Sequence, residues 1–185
     1  MNKRSYARKN PIRHNPFTVT LHWLTALIVL AETLIGVGLL HFLPNNAGKV
    51  VPLTVHMILG IGLVVTVLLQ LLSRSSTPRP TPSATGNSFL DFVAKVTHAL
   101  LYLFALLAGG SGVLLALQAH VLRLVIGKPI SLPMGFEPFV HAAIFVVFGM
   151  LVGLHVLGAV YHQFILKDSL LSRMGYSRTS TVEQD

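Results

Sequence analysis

The sequence predicts an all-α integral membrane protein, a four-helix up-down bundle with both termini on the cytoplasmic side. Hydrophobic residues make up 52% of the 185-residue chain and charged residues only 11%, whereas a soluble domain carries about 25% charged residues. Four apolar runs are each long enough to cross a bilayer, which takes about 20 residues. Lysine and arginine concentrate in both tails and in the second connection, which the positive-inside rule places in the cytoplasm.

The chain divides into two tails and one helical domain. A basic cytoplasmic tail covers residues 1–16, a four-helix transmembrane domain covers 17–166, and a second cytoplasmic tail covers 167–185. Turn-forming Pro, Asn and Gly residues separate the first two spans, and a linker rich in Pro, Ser and Thr precedes the third. A longer connection containing GKPISLPMG precedes the fourth. The predicted spans are about 17–40, 51–72, 89–117 and 138–166.

Composition excludes several kinds of chemistry. The chain has no cysteine, which rules out disulfides, c-type haem attachment and iron–sulfur clusters. It has six acidic residues against fourteen basic ones, so we expect neither carboxylate-rich metal sites nor catalysis by paired carboxylates. Membrane lipid is the expected surrounding, and no nucleic-acid partner is expected.

Four histidines inside the spans pair by depth. His141 and His155 are fourteen residues apart in the fourth span, so both rings leave the same side of the helix, with Cα atoms about 21 Å apart along its axis. His56 lies near the outer side of the second span, and His22 lies near the cytoplasmic side of the first. Depth therefore pairs His56 with His141 and His22 with His155. Two such pairs between facing helices are what two six-coordinate b-type haems need as axial iron ligands.

Two other interpretations of these histidines compete with this one. A single histidine inside a membrane can simply form a hydrogen bond to a neighbouring helix, but four that pair by depth make this reading weaker. A zinc site would need three or four ligands at one depth. Several glycines near the histidines either let flat macrocycles approach the backbone or serve close helix packing, and the sequence does not choose between these roles. They are Gly60, Gly62, Gly149, Gly153 and Gly158.

Further polar residues cluster toward the cytoplasmic side. His162, His98 and Arg74 are candidates for a quinone site, where a histidine can exchange a proton with a quinone oxygen. The two histidines could instead bind haem propionates, and Arg74 could simply extend to the membrane interface. Glu32 lies inside the first span, and a carboxylate there is functional by default. It would either carry a proton or bond to a neighbouring helix.

Four segments of the sequence resemble the bacterial cytochrome b561 family, and together they extend over almost the whole chain. The most specific is the last, with its His-x6-His and trailing Lys-Asp-x-x-Leu-x-Arg-Met. The segments are LHWLTA at 21–26, VHMILG at 55–60, THALLY at 97–102 and GLHVLGAVYHQFILKDSLLSRM at 153–174. One departure lies in the third span, which carries AGGSG at 108–112 where the family often has a Pro before a Gly.

This resemblance implies a four-helix cytochrome with two haem b groups in the bacterial inner membrane, where it is a multi-pass protein. The family's ligand histidines match His22, His56, His141 and His155. Members are taken to exchange electrons with the quinone pool. One well-known member is a superoxide oxidase, which oxidises superoxide on the periplasmic side and passes the electron to ubiquinone.

The resulting expectation is a membrane cytochrome that transfers electrons between a periplasmic donor, with superoxide as the candidate, and ubiquinone. It would act as an oxidoreductase of the superoxide:ubiquinone type or as an electron-transfer protein. Basic Lys49, Arg123 and Lys128 would steer a small anionic donor inward. One alternative is a haem-bearing membrane anchor of a dehydrogenase or hydrogenase, which would then be a partner. The other is a metal-binding transporter without redox function.

Overall fold

A computed structural model describes residues 14–44, 46–77, 85–120, 136–167, 171, 174 and 175. Within this part of the chain the regular structure consists of helices alone. Four of these helices are long and apolar enough to cross a membrane. The prediction of an all-α four-helix membrane bundle is therefore confirmed. The two tails predicted at 1–16 and 167–185 lie largely outside the described residues.

The four long helices follow one another along the chain, and the first and last each end in a π-helical segment. Single π-helical turns are rare and occur frequently at functional sites. The bounds are α1 Pro16–Ile35 with a π segment Gly36–Leu40, a short 3-10 turn Ala47–Lys49, α2 Val50–Ser76, α3 Ser88–Gln118, and α4 Phe136–Val160 with a π segment Tyr161–Leu166.

Asparagine caps fix the start of two of the helices. The side chain of Asn15 accepts a hydrogen bond from the Phe17 N–H at 2.8 Å, and Pro16 occupies the first turn, where its missing N–H costs nothing. At the start of α3, the Asn87 side chain accepts from the Phe89 N–H at 2.9 Å. These caps set where α1 and α3 begin, and so the depth at which His22 and His98 lie.

Successive helices run antiparallel and pack most closely against each other. The start of α1 meets the end of α2, where the hydroxyls of Thr18 and Ser73 share a hydrogen bond of 2.7 Å. The end of α3 meets the start of α4 through Ser111 and His141. The up-down order of the bundle follows from these contacts. We call the end where α1 begins and α4 finishes the inner end, and the opposite one the outer end.

The bundle has a small core and an apolar surface. Large hydrophobic side chains are exposed along all four helices, as expected of helices that face lipid. The helices α2 and α3 come close at Gly109, where a Cβ would overlap Cγ2 of Val64. Only glycine fits this approach, which is a common device in membrane helix packing. The core cluster at mid-depth consists of Leu63, Val67, Ala105 and Phe148.

Candidate functional site

The four histidines expected to bind iron meet in two pairs, one toward each end of the bundle. The ring centroids of His56 and His141 are 6.2 Å apart, and those of His22 and His155 are 6.1 Å apart. Two imidazoles that bind one metal from opposite sides, each at about 2 Å, have centroids roughly 6 Å apart. Both spacings therefore fit an iron between the rings. We call the first pair the outer site and the second pair the inner site.

The helix packing leaves room for a flat group at each site. Closest packing joins successive helices, whereas the histidine pairs join α2 to α4 and α1 to α4. Each pair therefore spans two helices whose backbones stand further apart than those of sequence neighbours. Phe148 of the core cluster is seven residues from both His141 and His155, so a packed apolar layer separates the two sites.

Each ring of the outer site has a polar partner at Nδ1. His56 Nδ1 contacts a carboxylate oxygen of Glu32 from α1. His141 Nδ1 lies 2.8 Å from Oγ of Ser111 in α3, and that hydroxyl in turn donates to the carbonyl of Ala108 at 3.0 Å. With Nδ1 engaged in this way, Nε2 of each ring is the nitrogen left for iron, as in most metal-bound histidines.

Two glycines lie directly against the outer rings. A Cβ at Gly36 would be 3.4 Å from Cε1 of His56, and a Cβ at Gly112 would be 3.4 Å from Cε1 of His141. Gly36 is also the first residue of the π-helical segment that ends α1. A methyl group at either position would already be in van der Waals contact with a ligand ring, so a larger side chain would compete with the ring for space.

The glycines singled out from the sequence divide into two groups. A Cβ at Gly60 would lie 4.0 Å from Oε1 of Glu32, and one at Gly62 would lie 3.8 Å from Ile28, so both serve ordinary packing between α1 and α2. The three in α4 have open space where a Cβ would point, which suits either a bound macrocycle or lipid. These are Gly149, Gly153 and Gly158.

Among the described residues, the contacts of the inner pair are with other rings. The ring of Trp23 lies edge-on to His22 with centroids 5.5 Å apart, and its Nε1 donates to the carbonyl of Met174 at 3.0 Å. The ring of His98 lies 5.0 Å from that of His155. The inner site is thus tied to the segment that follows α4.

The three candidate quinone residues take different places at the inner end. Nδ1 of His98 lies 2.7 Å from the Ala94 carbonyl, and its ring faces the inner site. His162 is buried within the π-helical segment of α4. The Arg74 guanidinium lies 5.8 Å from the centroid of the Tyr102 ring. A cavity of about 300 Å³ opens there, lined by Leu71, Arg74, Lys95, Ala99 and Tyr102. Their quinone role stays a prediction.

Sequence reasoning missed the groups that surround the histidines. Ser111, Gly36 and Gly112 were not assigned to the site, although Ser111 and Gly112 lie within the unusual AGGSG segment. Glu32 was singled out without a partner. Depth matching would have found that partner, since Glu32 lies ten residues beyond His22 in α1, which is about 15 Å nearer the outer end.

The structure bears only partly on two other predictions, the alternative zinc site and the basic residues that would steer an anion. The described residues contain no group of three His, Cys, Asp or Glu side chains that could hold a metal ion, so within them the zinc interpretation lacks a ligand set. Lys49 donates from Nζ to the carbonyl of Leu43 at 3.2 Å. Arg123 and Lys128, the other two steering residues, lie outside the described residues.

Comparison with known proteins agrees with this arrangement. Residues 13–176 match the family model of prokaryotic cytochrome b561, a segment that contains all four helices and both histidine pairs. The chain is similar to cytochrome b561 homolog 2 of Escherichia coli (strain K12), at 27% identity over 179 residues, 89% of this chain and 92% of that protein. The resemblance seen in the sequence is confirmed: the chain belongs to the prokaryotic cytochrome b561 family of membrane haem proteins, which transfer electrons.

Proposed function

We propose that this protein is a two-haem cytochrome of the bacterial inner membrane that carries electrons from a donor at its outer end to ubiquinone at its inner end. The observation that carries the proposal is the spacing of the histidine pairs, 6.2 Å at the outer site and 6.1 Å at the inner site. Spacing of this kind at two depths suits two irons rather than one. The inner end faces the cytoplasm, in line with the basic residues of the tails.

Haem b held by two histidines supplies one-electron transfer and has no open position for oxygen. In this protein His56 and His141 would hold the outer haem, and His22 and His155 would hold the inner one. Glu32 and Ser111 orient the outer pair through Nδ1. The rings of Trp23 and His98 pack around the inner pair.

The quinone site in this proposal is the cavity beside Arg74. Its volume of about 300 Å³ is at the lower end of ligand pockets, which run from about 300 to 1,000 Å³, and it suits a quinone head group. Arg74 and Lys95 offer N–H donors to quinone oxygens, and Tyr102 offers a ring and a hydroxyl. His98 and His162 lie at the same end, where an imidazole can pass a proton to a reduced quinone.

The donor in this proposal is superoxide or another small anion. Its approach would be favoured by basic residues beyond the outer ends of the helices, of which Lys49 precedes α2. The family assignment favours electron transfer over a metal-binding transporter. It leaves open whether a dehydrogenase or hydrogenase partner supplies the electrons, and full activity of the isolated chain would count against such a partner.

The decisive experiment is haem counting in His56→Ala beside the wild type. We expect two haems per chain in the wild type and one in the variant, with a reduced-minus-oxidised α-band that falls by about half. The variant His41→Ala is the control, because His41 follows the π segment of α1 and its ring contacts Phe42 rather than another histidine. The control should keep both haems.

A wild-type chain that binds a single haem, or a His56→Ala chain that keeps both, would overturn the arrangement. Reduction of ubiquinone by the purified protein with a superoxide source then tests the donor. The initial rate should fall as ionic strength rises, because salt screens the attraction between a small anion and a basic surface. A rate independent of salt would argue against steering.

A further inference from the structure

We propose that Glu32 is a positioning residue for the outer haem, acting through His56, and that its negative charge holds the reduction potential of that haem down. The inference rests on the proposed function, because it requires a haem iron between His56 and His141. It assigns Glu32 a role that the sequence alone leaves open. The residue acts on the iron through its ligand and does not touch the iron itself.

The first step is the cost of placing a carboxylate at this depth. Glu32 is only 4% exposed and lies in an apolar helix that is long enough to cross a membrane. Acidic side chains inside membrane spans are expensive and are kept where a partner compensates for them. Oε1 of Glu32 is buried and has no hydrogen-bond partner among the described residues. The compensating contact must therefore come through Oε2.

The second step is the identity of that contact. Oε2 of Glu32 meets Nδ1 of His56, which leaves Nε2 of that ring as the nitrogen available to a metal. When Nε2 binds iron, Nδ1 carries the ring's hydrogen and donates it to the carboxylate. Such carboxylate–histidine–metal arrangements fix the ring orientation and make the imidazole a stronger electron donor.

The third step is the effect on the iron. A more electron-rich imidazole and a nearby negative charge both favour the ferric state, which carries one more positive charge than the ferrous state. Hydrogen bonding to axial ligands and local charge are two of the means by which proteins set haem potentials. Among the described residues, the other three ligand histidines have no recorded carboxylate contact. The effect should therefore be confined to the outer haem.

The test is a redox titration of Glu32→Gln in the full chain with both haems bound. Glutamine keeps the size and a carbonyl oxygen that can accept from Nδ1, but removes the charge. We expect the outer haem to be reduced more easily, by about tenfold in its reduction equilibrium, a rise of about 59 mV for one electron. The inner haem should stay unchanged. His56→Ala, which retains only the inner haem, identifies which midpoint belongs to which site.

The matched control is Thr33→Val, one residue further along α1. Its hydroxyl donates to the Val29 carbonyl within the same helix at 2.8 Å, so the change removes a polar group without altering the outer ligands. Both midpoints should stay at their wild-type values. If Glu32→Gln keeps two haems and the outer midpoint does not move, or both midpoints rise equally, the inference is overturned while the two-haem function stands.

If Glu32→Gln loses the outer haem, its midpoint cannot be titrated, and a second measurement on the wild type tests the inference instead. Wild-type protein carrying 13C-labelled glutamate is examined by reduced-minus-oxidised infrared spectroscopy across the outer-haem step. We expect a label-sensitive carboxylate band that Glu137→Gln leaves in place. A spectrum without that band would overturn the inference. Failure of the wild type to bind two haems would instead overturn the proposed function.

Discussion

The outer and inner sites use the same ligands in different surroundings. Glu32 and Ser111, from α1 and α3, contact Nδ1 of the two outer rings. At the inner site the neighbours are the rings of Trp23 and His98. The cationic side chains of Arg74 and Lys95 line a cavity at the same end. A pair of histidines by itself therefore does not define a redox site, because the groups around the pair differ in charge.

The difference suggests a direction for electron flow. If two haems are bound as proposed, a carboxylate behind an outer ligand would lower the potential of the outer haem, whereas cations at the inner end would raise the potential of the inner haem. An electron that enters at the outer end would then move downhill toward the inner end. This order agrees with a donor outside and a quinone inside, and each of the following variants alters one side of the comparison.

The largest effect is expected from Gly36→Leu. A Cβ at this position would already be in van der Waals contact with Cε1 of His56 at 3.4 Å, so the rest of a leucine side chain competes with the ring for space. We expect the outer haem to be lost and the inner haem to remain, so that haem content falls from two toward one per chain. Gly38→Leu is the control, because no atom lies within 4 Å of a Cβ built there. Equal haem loss in both variants would show that bulk in the π segment, not contact with His56, is responsible.

A smaller effect, on the inner site, is expected from Gln70→Leu. Gln70 is buried and its Nε2 donates to the Leu21 carbonyl at 3.0 Å, next to His22, and to the Thr25 hydroxyl. Each hydrogen bond between membrane helices is worth about 0.6 kcal/mol on average and up to about 1.7. We expect the free energy of unfolding in detergent to fall by about 1–2 kcal/mol, with the inner haem lost before the outer one.

The control for Gln70→Leu is Thr66→Val on the same helix. Thr66 is equally buried, but its hydroxyl bonds to the Leu63 carbonyl within α2 at 3.0 Å. This change should cost less stability and leave the order of haem loss unaltered. If Gln70→Leu released the outer haem first, the link between α1 and α2 would not be what holds His22 in place.

The sequence was sufficient for the fold and for the pairing of histidines by depth. Apolar length can be read directly from the sequence, and the spacing of His141 and His155 follows from regular α-helix geometry, which holds over Phe136–Val160. Contacts between side chains of different helices could not be obtained in this way. The meeting of Ser111 with His141 depends on how α3 and α4 are rotated about their axes, and hydropathy does not specify that rotation.

The unknown rotation of the helices also explains why the glycines at the outer site could not be identified from the sequence. Position in the sequence favoured those near the histidines in α2 and α4, yet the residues against the outer rings are Gly36 and Gly112 from α1 and α3. A ligand ring is approached from helices other than its own, so the relevant glycines are distant in sequence. Glu32 lies between these two cases. Its depth relative to His56 followed from the predicted spans, and only its contact with His56 required the structure.

The smallest effect is expected from Ser111→Ala, which tests whether charge distinguishes the two outer ligands. The variant removes a neutral acceptor from Nδ1 of His141. A neutral hydrogen bond contributes about 0.5–1.5 kcal/mol and one to a charged group about 1.5–3. The outer midpoint in a redox titration should therefore rise by no more than about half as much as in Glu32→Gln, and the inner midpoint should not change. A rise equal to that of Glu32→Gln would mean that hydrogen bonding to the ligand, rather than the charge of Glu32, sets the outer potential. The proposed difference between the two sites would then depend on the inner cations alone.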